Sequence, residues 1–440
     1  MQTKGTLENV RSVVRFRLRL DRSRRVGKNE RFPCPQEEGE ETDGERAELG
    51  WVLMYVLWSL TGSSLLAWIG LLVGRGFFWW PSPRLDLQKE NPQSGSSVVA
   101  VVPARNEAEI LPRTLPSVLA QEYSGPFHAI LVDDRSEDGT AAVAQAAAEA
   151  LSVGDRLEVR SGKPLASGWS GKVWAMHQGV MEAGQPEYLW FTDADIAHEP
   201  WVLSALVGRA EAGGLDLVST MATLRVDSVW DRLLVPAFVY FFAKLYPFRF
   251  VSNPHRRHAG AAGGCILVRC SALEQVGGLA VIRSALIDDC ALGRLLKRAG
   301  GRIWLGFSRG VHSARGYGSL ASVWGMVARS AYTQLGHSPL NLAGTILGML
   351  FLYALAPIAC IGGAVAAALG VPGTLPIAAI GGAAWGLMAA SFVPMLRHHG
   401  VAWWMAPLLP VAGVLYTAMT ISSAWRHTRG RGGAWKGRTY

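Results

Sequence analysis

The sequence lacks the cysteine patterns that form zinc sites and dithiol redox centres. Its five cysteines contain no Cys-x-x-Cys pair, and no histidine spacing completes a zinc site. We therefore interpret them as small, apolar side chains of a protein in a reducing compartment. These residues are Cys34, Cys265, Cys270, Cys290 and Cys360.

The central part of the chain also lacks the net positive charge of a nucleic-acid surface. Ten Lys or Arg against three acidic residues fall in 1–31, seven acidic residues against one Arg fall in 37–49, and five basic residues with no acid follow Trp425. Of the formal net charge of +9, only about +3 is left between these ends, so we expect no nucleic-acid partner. Basic ends beside apolar segments instead favour an anionic membrane surface.

No secretory signal peptide is present, because the first apolar run begins only near residue 51. Residues 1–49 are highly charged and poor in aliphatic side chains, and we predict a disordered leader. Met54 lies just inside the apolar run. Translation from Met54 is therefore an alternative, and it would remove this leader.

Two long stretches contain no charged residue and predict membrane helices. The first, 51–73, is 23 residues long, which is enough to span a bilayer. The second, 338–396, is split by the turn sequence GVPGTLP, and 401–425 supplies a further apolar segment before the basic tail at 426–440. We predict one amino-terminal and about three carboxy-terminal transmembrane helices in 51–73 and 338–425.

The arginines after the first span set the predicted orientation. Arg75 and Arg84 place the downstream side in the cytoplasm, so we expect a multi-pass protein of the cytoplasmic (inner) membrane. Three spans after a cytoplasmic domain would export the basic tail, so we favour a re-entrant or interfacial segment among them. Residues 230–250 and 317–337 combine aromatic and basic residues, and we predict that both lie in the headgroup plane. For 230–250, a helix in the core of the domain is the alternative.

Residues 98–315 predict a soluble α/β domain. Short apolar runs such as 98–102 are typical of strands buried on both faces, and helical segments such as 138–151 alternate with them. This alternation predicts a doubly wound, mainly parallel sheet.

Three acidic pairs in this domain carry the chemistry. Asp133-Asp134 and Asp193-Ala194-Asp195 follow predicted strands, whose carboxyl ends face the ligand crevice of an α/β sheet. An Asp-x-Asp at that edge predicts a site for Mg²⁺ or Mn²⁺ carrying a diphosphate. Asp288-Asp289 is the third pair. The alternative for each is an acid that caps a helix or closes a turn.

These motifs together carry a family resemblance. PARNE (103–107), VDDRSEDGT (132–140), TDAD (192–195) and the later Asp288-Asp289 occur in the order typical of family 2 glycosyltransferases of the GT-A fold. The resemblance covers roughly residues 98–315. It implies a GT-A-type sheet and transfer of a sugar from a nucleotide-sugar donor.

Further sequences narrow this resemblance. GWSGKVWA (168–175), the flanking membrane segments and the tail GRGGAWKGR (430–438) are similar to hopene-associated glycosyltransferases. That subfamily implies a lipid hydroxyl acceptor in hopanoid biosynthesis. Alternatives are ceramide or polyprenyl-phosphate glycosylation, a nucleotide-sugar hydrolase, and a non-enzymatic membrane scaffold that senses nucleotides.

The resemblance implies roles for individual residues. Asp193 and Asp195 would bind the metal, Asp134 would accept a hydrogen bond from the uracil of a UDP-sugar, and Asp289 would deprotonate the acceptor hydroxyl. A base of this kind predicts inversion at the anomeric carbon. The donor-binding candidates are Pro103, Arg105, Asn106, Glu107, Asp134, Lys172, Asp193 and Arg329.

Two of these assignments have particular features. Lys172 begins a helix, where its charge opposes the helix dipole, so we expect contact with the donor diphosphate; a solvated surface lysine is the alternative. Many membrane-bound members of the resembled family carry a Gln/Arg-x-x-Arg-Trp motif after the base. Arg329 matches the Arg of this motif, but its first and last positions are absent here. The missing Trp argues against polymer synthesis and favours a single transfer to a lipid.

Overall fold

The structure is a computed structural model, and it describes residues 38–86, 95–430, 432, 434–435 and 438–439. The chain divides into two compact units, residues 1–53 and residues 54–440. All described residues of the first unit belong to helix α1 (Glu38–Gly74), which continues into the second unit.

The start of α1 corrects part of the predicted leader. Residues 38–49, which we predicted to be disordered, are helical. Glu, Ala and Arg are good helix formers, and acids in the first turns of a helix interact favourably with its dipole. An apolar helix directly downstream also removes the cost of nucleation. The predicted disorder of 1–37 lies outside the described residues.

A mixed eight-stranded sheet forms the centre of the second unit, in the order β3-β2-β1-β4-β7-β6-β8-β5. The predicted α/β class is confirmed. Parallel pairing holds for β1 with β2 and β4, for β2 with β3 and for β6 with β8, whereas β7 runs antiparallel to both of its neighbours. The strands are β1 (Val98–Ala104), β2 (Phe127–Asp133), β3 (Leu157–Ser161), β4 (Tyr188–Thr192), β5 (Ile196–His198), β6 (Leu217–Thr223), β7 (Cys265–Arg269) and β8 (Ile303–Ser313).

Helices cover both faces of this sheet. Every residue of β1 is buried, as expected of a central strand between two helical layers. The helices that follow α1 up to the carboxy-terminal apolar region are α2 (Leu111–Leu119), α3 (Thr140–Ala150), α4 (Gly171–Glu182), α5 (Val202–Gly213), α6 (Val229–Leu245), α7 (Phe248–Val251), α8 (Cys270–Gln275), α9 (Asp288–Arg298) and α10 (Leu320–Gln334).

The carboxy-terminal region is helical and apolar. Its helices are α11 (Pro339–Met349), α12 (Leu355–Ala368), α13 (Thr374–His398) and α14 (Leu409–Thr428), with a π-helical turn between α11 and α12 and a 3-10 segment, Trp403–Leu408, before α14. A short antiparallel pair, β9 (Ala434–Trp435) and β10 (Arg438–Thr439), lies in the basic tail.

Within the described residues, five helical segments are long and apolar enough to cross a membrane. Four of them lie where the sequence predicts membrane helices. The fifth is Val229–Val251, which contains α6.

The α6 helix joins the sheet to the apolar helices. It begins at a capping box, in which Ser228 and Asp231 each bond the backbone N–H of the other. On one side, the Tyr240 hydroxyl bonds Ser391 of α13 at 2.7 Å, and the Tyr416 hydroxyl of α14 donates to the Leu234 carbonyl at 2.9 Å. Our prediction of a helix lying in the headgroup plane was wrong for most of α6, because its aromatic side chains are satisfied by other helices.

The segment between α13 and α14 turns back on itself. The His398 ring, at the end of α13, lies 5.3 Å from the Phe307 ring of β8, so α13 ends beside the sheet. The chain then runs back along α13 until the Pro407 carbonyl accepts a hydrogen bond from the Trp385 indole at 3.0 Å. Helix α14 returns towards the sheet domain, where Ser423 accepts a bond from the Tyr332 N–H of α10 at 3.0 Å. Whether this segment is re-entrant in a membrane stays a prediction, since Trp403–Thr428 is also long and apolar enough to cross one.

Candidate active site

The acidic motifs meet at one edge of the sheet. Because β2 and β4 both run parallel to β1, the residues that follow Ala104, Asp133 and Thr192 emerge at the same edge. Ligands of α/β sheets bind at this carboxyl edge. The motifs that follow the three strands therefore lie together, as their predicted strand positions require.

A cleft of about 550 Å³ opens at this edge. Six of its lining residues are among those that the sequence singles out for donor or metal binding: Pro103, Glu107, Lys172, Asp193, Asp195 and Arg329. Asp288, of the third acidic pair, lines it as well. Arg315, Tyr317 and Arg426 also line the cleft and were not selected from the sequence as site residues.

Lys172 is the electrostatic centre of the cleft. Its ammonium lies 2.7 Å from Asp193 Oδ1 and 3.3 Å from Asp288 Oδ2. Burial lowers the pKa of Lys172, but the Asp193 and Asp288 carboxylates outweigh burial and raise it above its ordinary value. The alternative of a solvated surface lysine is therefore wrong. Lys172 is a fixed positive charge inside the cleft, in the first turn of α4.

The two carboxylates of the Asp-x-Asp have different surroundings. Burial raises the pKa of Asp193 to about 6, with Lys172 acting in the opposite direction and Asp195 and Asp288 adding to the rise. The Asp195 carboxylate accepts no hydrogen bond from any residue that the structure describes. Two hard oxygen donors, one of them uncommitted, fit a cation that also uses waters and phosphate oxygens. Larger clusters of His, Cys, Asp or Glu that could hold a metal do not occur among the described residues.

The third acidic pair opens α9, and its two carboxylates are held differently. Asp289 accepts hydrogen bonds from the N–H of Gly263 at 2.8 Å and of Cys290 at 2.6 Å. Asp288 lines the cleft and pairs with Lys172, whereas Asp289 is absent from the cleft lining. Burial, reinforced by Asp288, raises the pKa of Asp289 to about 6. Both acids also occupy the first turn of a helix. A role as helix-terminal acids is therefore compatible with a role in the site.

Hydrogen bonds connect the PARNE loop to the Asp133-Asp134 loop. The Arg105 guanidinium donates to the Asp134 carbonyl, and Asn106 Oδ1 accepts from the N–H of Glu137 at 3.0 Å. Asp134 itself is fully buried and does not line the cleft. Its predicted contact with uracil would require the neighbouring loops to open. Arg105 and Asn106 act on the loop in this structure, and their contact with a donor stays a prediction.

Positive charge from distant parts of the chain reaches the cleft. Arg315 follows β8 and pairs with the buried Glu107, Arg329 projects from α10, and Arg426 comes from the last turn of α14. Arg426 was assigned to the basic tail, because nothing in a run of basic residues shows which one folds back onto a site. Only the return of α14 brings it there.

Comparisons with known proteins agree with this geometry. Residues 99–277 match the family model described as glycosyl transferase family 2. These residues form a glycosyl transferase family 2 domain. The domain contains β1 to β7, Lys172 and the Asp-x-Asp, while Asp289 and the other residues after 277 lie beyond the match.

Curated relatives of the domain include enzymes named undecaprenyl-phosphate 4-deoxy-4-formamido-L-arabinose transferase. The Pseudomonas aeruginosa protein is 30% identical over 178 residues, which are 39% of this chain and 45% of that one. The Pseudomonas savastanoi protein is 31% identical over 140 residues, which are 31% of this chain and 38% of that one. The chain thus spans less than half the length of these relatives.

A solved structure extends the likeness beyond the family 2 domain. The mannosyltransferase of Pyrobaculum calidifontis, solved with GDP-Man and Mn²⁺, matches 84% of this chain and 99% of its own length, with a TM-score of 0.50 and 18% identity. At this identity the likeness concerns the fold alone. It confirms the predicted GT-A-type fold with apolar helices attached.

Proposed function

We propose that this chain is a membrane-bound, inverting glycosyltransferase that moves a sugar from a nucleotide-sugar donor to a lipid. The observation that carries this proposal is the composition of the cleft. One space is lined by the family 2 Asp-x-Asp, by Lys172 and by Arg426 of an apolar helix. The predicted donor-binding residues and an apolar helix therefore share one opening, which supports a soluble donor and a lipid acceptor.

Each residue of the cleft has a part in this proposal. A divalent cation, Mg²⁺ or Mn²⁺, held by Asp193 and Asp195 would neutralise charge that develops on the leaving diphosphate. Lys172 would leave Asp193 for a donor phosphate when the cation binds, because its charge and position suit an anion equally well. We infer a UDP-sugar from the predicted role of Asp134.

The first candidate acceptor is a lipid hydroxyl, as in a hopanoid. A hydroxyl must lose a proton during the transfer, and Asp289 would take that proton. Its raised pKa supports this part, because a base works best when its pKa approaches the working pH. Since one displacement suffices, no covalent glycosyl-enzyme is needed.

The second candidate acceptor is a polyprenyl phosphate. It is favoured by the names of the curated relatives and by Arg329 and Arg426, which line the cleft and form no ion pair with the described residues. A phosphate acceptor is already ionised at neutral pH and needs no base. The two candidates therefore make different demands on Asp289 and Arg426.

The central experiment supplies purified protein with a panel of UDP- and GDP-sugars and with hopanoid or undecaprenyl-phosphate acceptors, and identifies the lipid product by mass spectrometry. EDTA and Asp195→Ala should each lower turnover by orders of magnitude. Asp155→Ala is the matched control, because this aspartate is exposed and remote from the cleft. Full activity after both treatments would rule out the metal role.

Arg426→Gln distinguishes the two acceptors. If the acceptor is a phosphate, its KM should rise about tenfold or more, since a charge-assisted hydrogen bond of about 1.5–3 kcal/mol is lost. With a hydroxyl acceptor the KM should change little. Arg429→Gln, in which the lost guanidinium stacks on Trp425, is the control from the same helix end. An equal loss of donor affinity would place Arg426 in the donor site instead.

We also propose that the family 2 domain lies in the cytoplasm at the inner membrane. Arg75, directly after α1, supports this orientation.

A further inference from the structure

A second cavity, of about 680 Å³, lies apart from the catalytic cleft and shares none of its lining residues. Five cationic side chains line it, and no acidic side chain does. These cations are Arg256, Arg257, Arg294, Lys297 and Arg298. We call this cavity the basic pocket.

The described residues do not neutralise the charges of the basic pocket. None of the five cations forms an ion pair with any residue in the described part of the chain. Lys297 donates only to the carbonyls of Val251 and Asn253, at 2.8 and 2.9 Å, and Arg256 lies over the Phe250 ring at 4.8 Å. Arg257 and Arg298 are exposed. Five like charges in one cavity repel each other unless an anion binds among them.

The basic pocket adjoins the end of an apolar helix. Arg75, directly after α1, donates to the carbonyl of Lys244, one residue before the pocket wall begins at Leu245. The Arg249 guanidinium lies 5.3 Å from the centre of the Phe77 ring, and a side chain on Gly76 would touch Phe250.

Aromatic residues follow α1 at the same place. Residues 77–80 are Phe-Phe-Trp-Trp, and Trp80 is 51% exposed. Exposed tryptophans beside the end of an apolar span mark the boundary between hydrocarbon and water. The basic pocket therefore opens at the height where lipid headgroups lie.

We propose that the basic pocket binds the phosphate of an anionic membrane lipid. Arginine forks match phosphate oxygens, and each Lys or Arg near an anionic surface contributes about 1 kcal/mol, or about fivefold in affinity. The Leu245 and Tyr246 side chains offer an apolar wall for the first part of an acyl chain. The site does not depend on the catalytic assignment.

One helix connects the basic pocket to the acidic pair of the cleft. Helix α9 carries Asp288 and Asp289 in its first turn and Arg294, Lys297 and Arg298 in its second half. A bound lipid would therefore lie at the end of α9 opposite to the cleft.

The experiment measures lipid binding to the full-length, delipidated protein in detergent by native mass spectrometry. The ligands are phosphatidylglycerol and phosphatidylcholine with the same acyl chains, and soluble glycerol phosphate is added as a competitor. Hydrogen exchange of 252–259 and 291–299 reports where the lipid binds. The test variant is R257E/R298E, because neither side chain holds another part of the fold. The control is R135E/R283E, which makes the same change of charge at two exposed arginines outside the basic pocket, neither of which forms a side-chain hydrogen bond or ion pair with the described residues.

We expect phosphatidylglycerol to bind more tightly than phosphatidylcholine and to slow exchange in both segments. R257E/R298E should weaken its binding about 25-fold or more, while the control keeps it. Equal binding of the two lipids, or an equal loss in the control, overturns the proposal. Displacement by glycerol phosphate at a concentration equal to that of the lipid would show that the pocket binds a free phosphate. It would overturn the proposal that the phosphate belongs to a lipid.

Discussion

Asp288 and Asp289 are adjacent and both partly exposed, but only Asp288 lines the cleft. Asp288 lines the cleft and pairs with Lys172, while Asp289 is held by two backbone N–H groups. A carboxylate that accepts two fixed hydrogen bonds is well oriented, whereas one that pairs with a lysine is free to exchange partners. The family resemblance favours Asp289 as the base, and the cleft lining leaves Asp288 as its competitor.

Replacing each acid separately decides between them. Asp289→Asn should lower transfer to a hydroxyl acceptor by about 10²–10⁴ while the donor KM stays near its original value, because loss of a positioned base acts on the chemical step. Asp288→Asn should act mainly on the donor KM, since Lys172 loses one of the two carboxylates that position it. Steady-state kinetics with both substrates varied measure this difference. The reverse pattern would identify Asp288 as the base.

The pH profile gives an independent measurement at the same residue. The base must be ionised to act, and burial raises the pKa of Asp289 from its ordinary value to about 6. The kcat/KM for the acceptor should therefore fall tenfold per pH unit below about pH 6 and be level above pH 7. This profile reports the enzyme form that binds the acceptor, so it should be measured at low donor concentration to report the enzyme without donor. A fall in kcat/KM that begins only near pH 4, as for an exposed aspartate, would contradict the buried environment of Asp289.

The α4 helix depends on a glycine for its position on the sheet. A Cβ on Gly179 would lie 2.5 Å from Val101 Cγ1 and 3.2 Å from Val132 Cγ2, so α4 packs directly on β1 and β2 at this point. The first turn of the same helix carries Lys172. The glycine therefore sets how closely the lysine approaches the strand ends.

Gly179→Ala should destabilise the domain by about 1–3 kcal/mol, because the added methyl group overpacks a filled interface. Thermal unfolding in detergent would measure this as a lower midpoint. Met181→Ala is the control in the same helix, since Met181 is 70% exposed. An unchanged midpoint for Gly179→Ala would mean that α4 shifts outward at little cost, and the donor KM should then rise.

The sequence predicted the positions of some structural elements and not of others. The strand ends at Ala104, Asp133 and Thr192 were predictable, because short apolar runs ended by polar residues define parallel strands locally. The position of α6 was not, since an aromatic helix with two cations has the same composition at a headgroup surface and between other helices. Arg426 and Arg315 enter the cleft through long-range packing, which no local pattern encodes. Asp134 was placed correctly after β2, but its complete burial depends on the loops above it.

One of the two apolar core clusters of the described residues crosses from the sheet into the carboxy-terminal helices. Buried residues of β1, α6, α13 and α14 belong to the same cluster, and Tyr240 of α6 contacts Phe392 of α13 with ring centres 5.3 Å apart. The family 2 domain and the helices beside it therefore share packing. We expect them to unfold together and not as separate units.

The return of the chain between α13 and α14 makes a prediction about topology. His398 and Arg426 both lie beside the sheet domain, so the residues after α14 should emerge on the side of that domain. A fluorescent protein fused after residue 440 should fluoresce in the cytoplasm, and alkaline phosphatase at the same point should be inactive. Fusions at residue 371, between α12 and α13, should give the opposite pattern. An active phosphatase after residue 440 would show that α14 crosses the membrane.

The length of α14 relates the cleft, through Arg426, to a fixed distance from the apolar helices. Helix α14 has 20 residues, which at about 1.5 Å each make a rod of about 30 Å. One end of the rod lies among apolar helices and the other lines the cleft. If the apolar helices span a membrane as we predict, the cleft would stand at a fixed height above the hydrocarbon layer. Lipids would then be sorted by how far their reactive group protrudes from the bilayer. A thicker bilayer would move that group relative to the cleft without changing a single contact inside the protein.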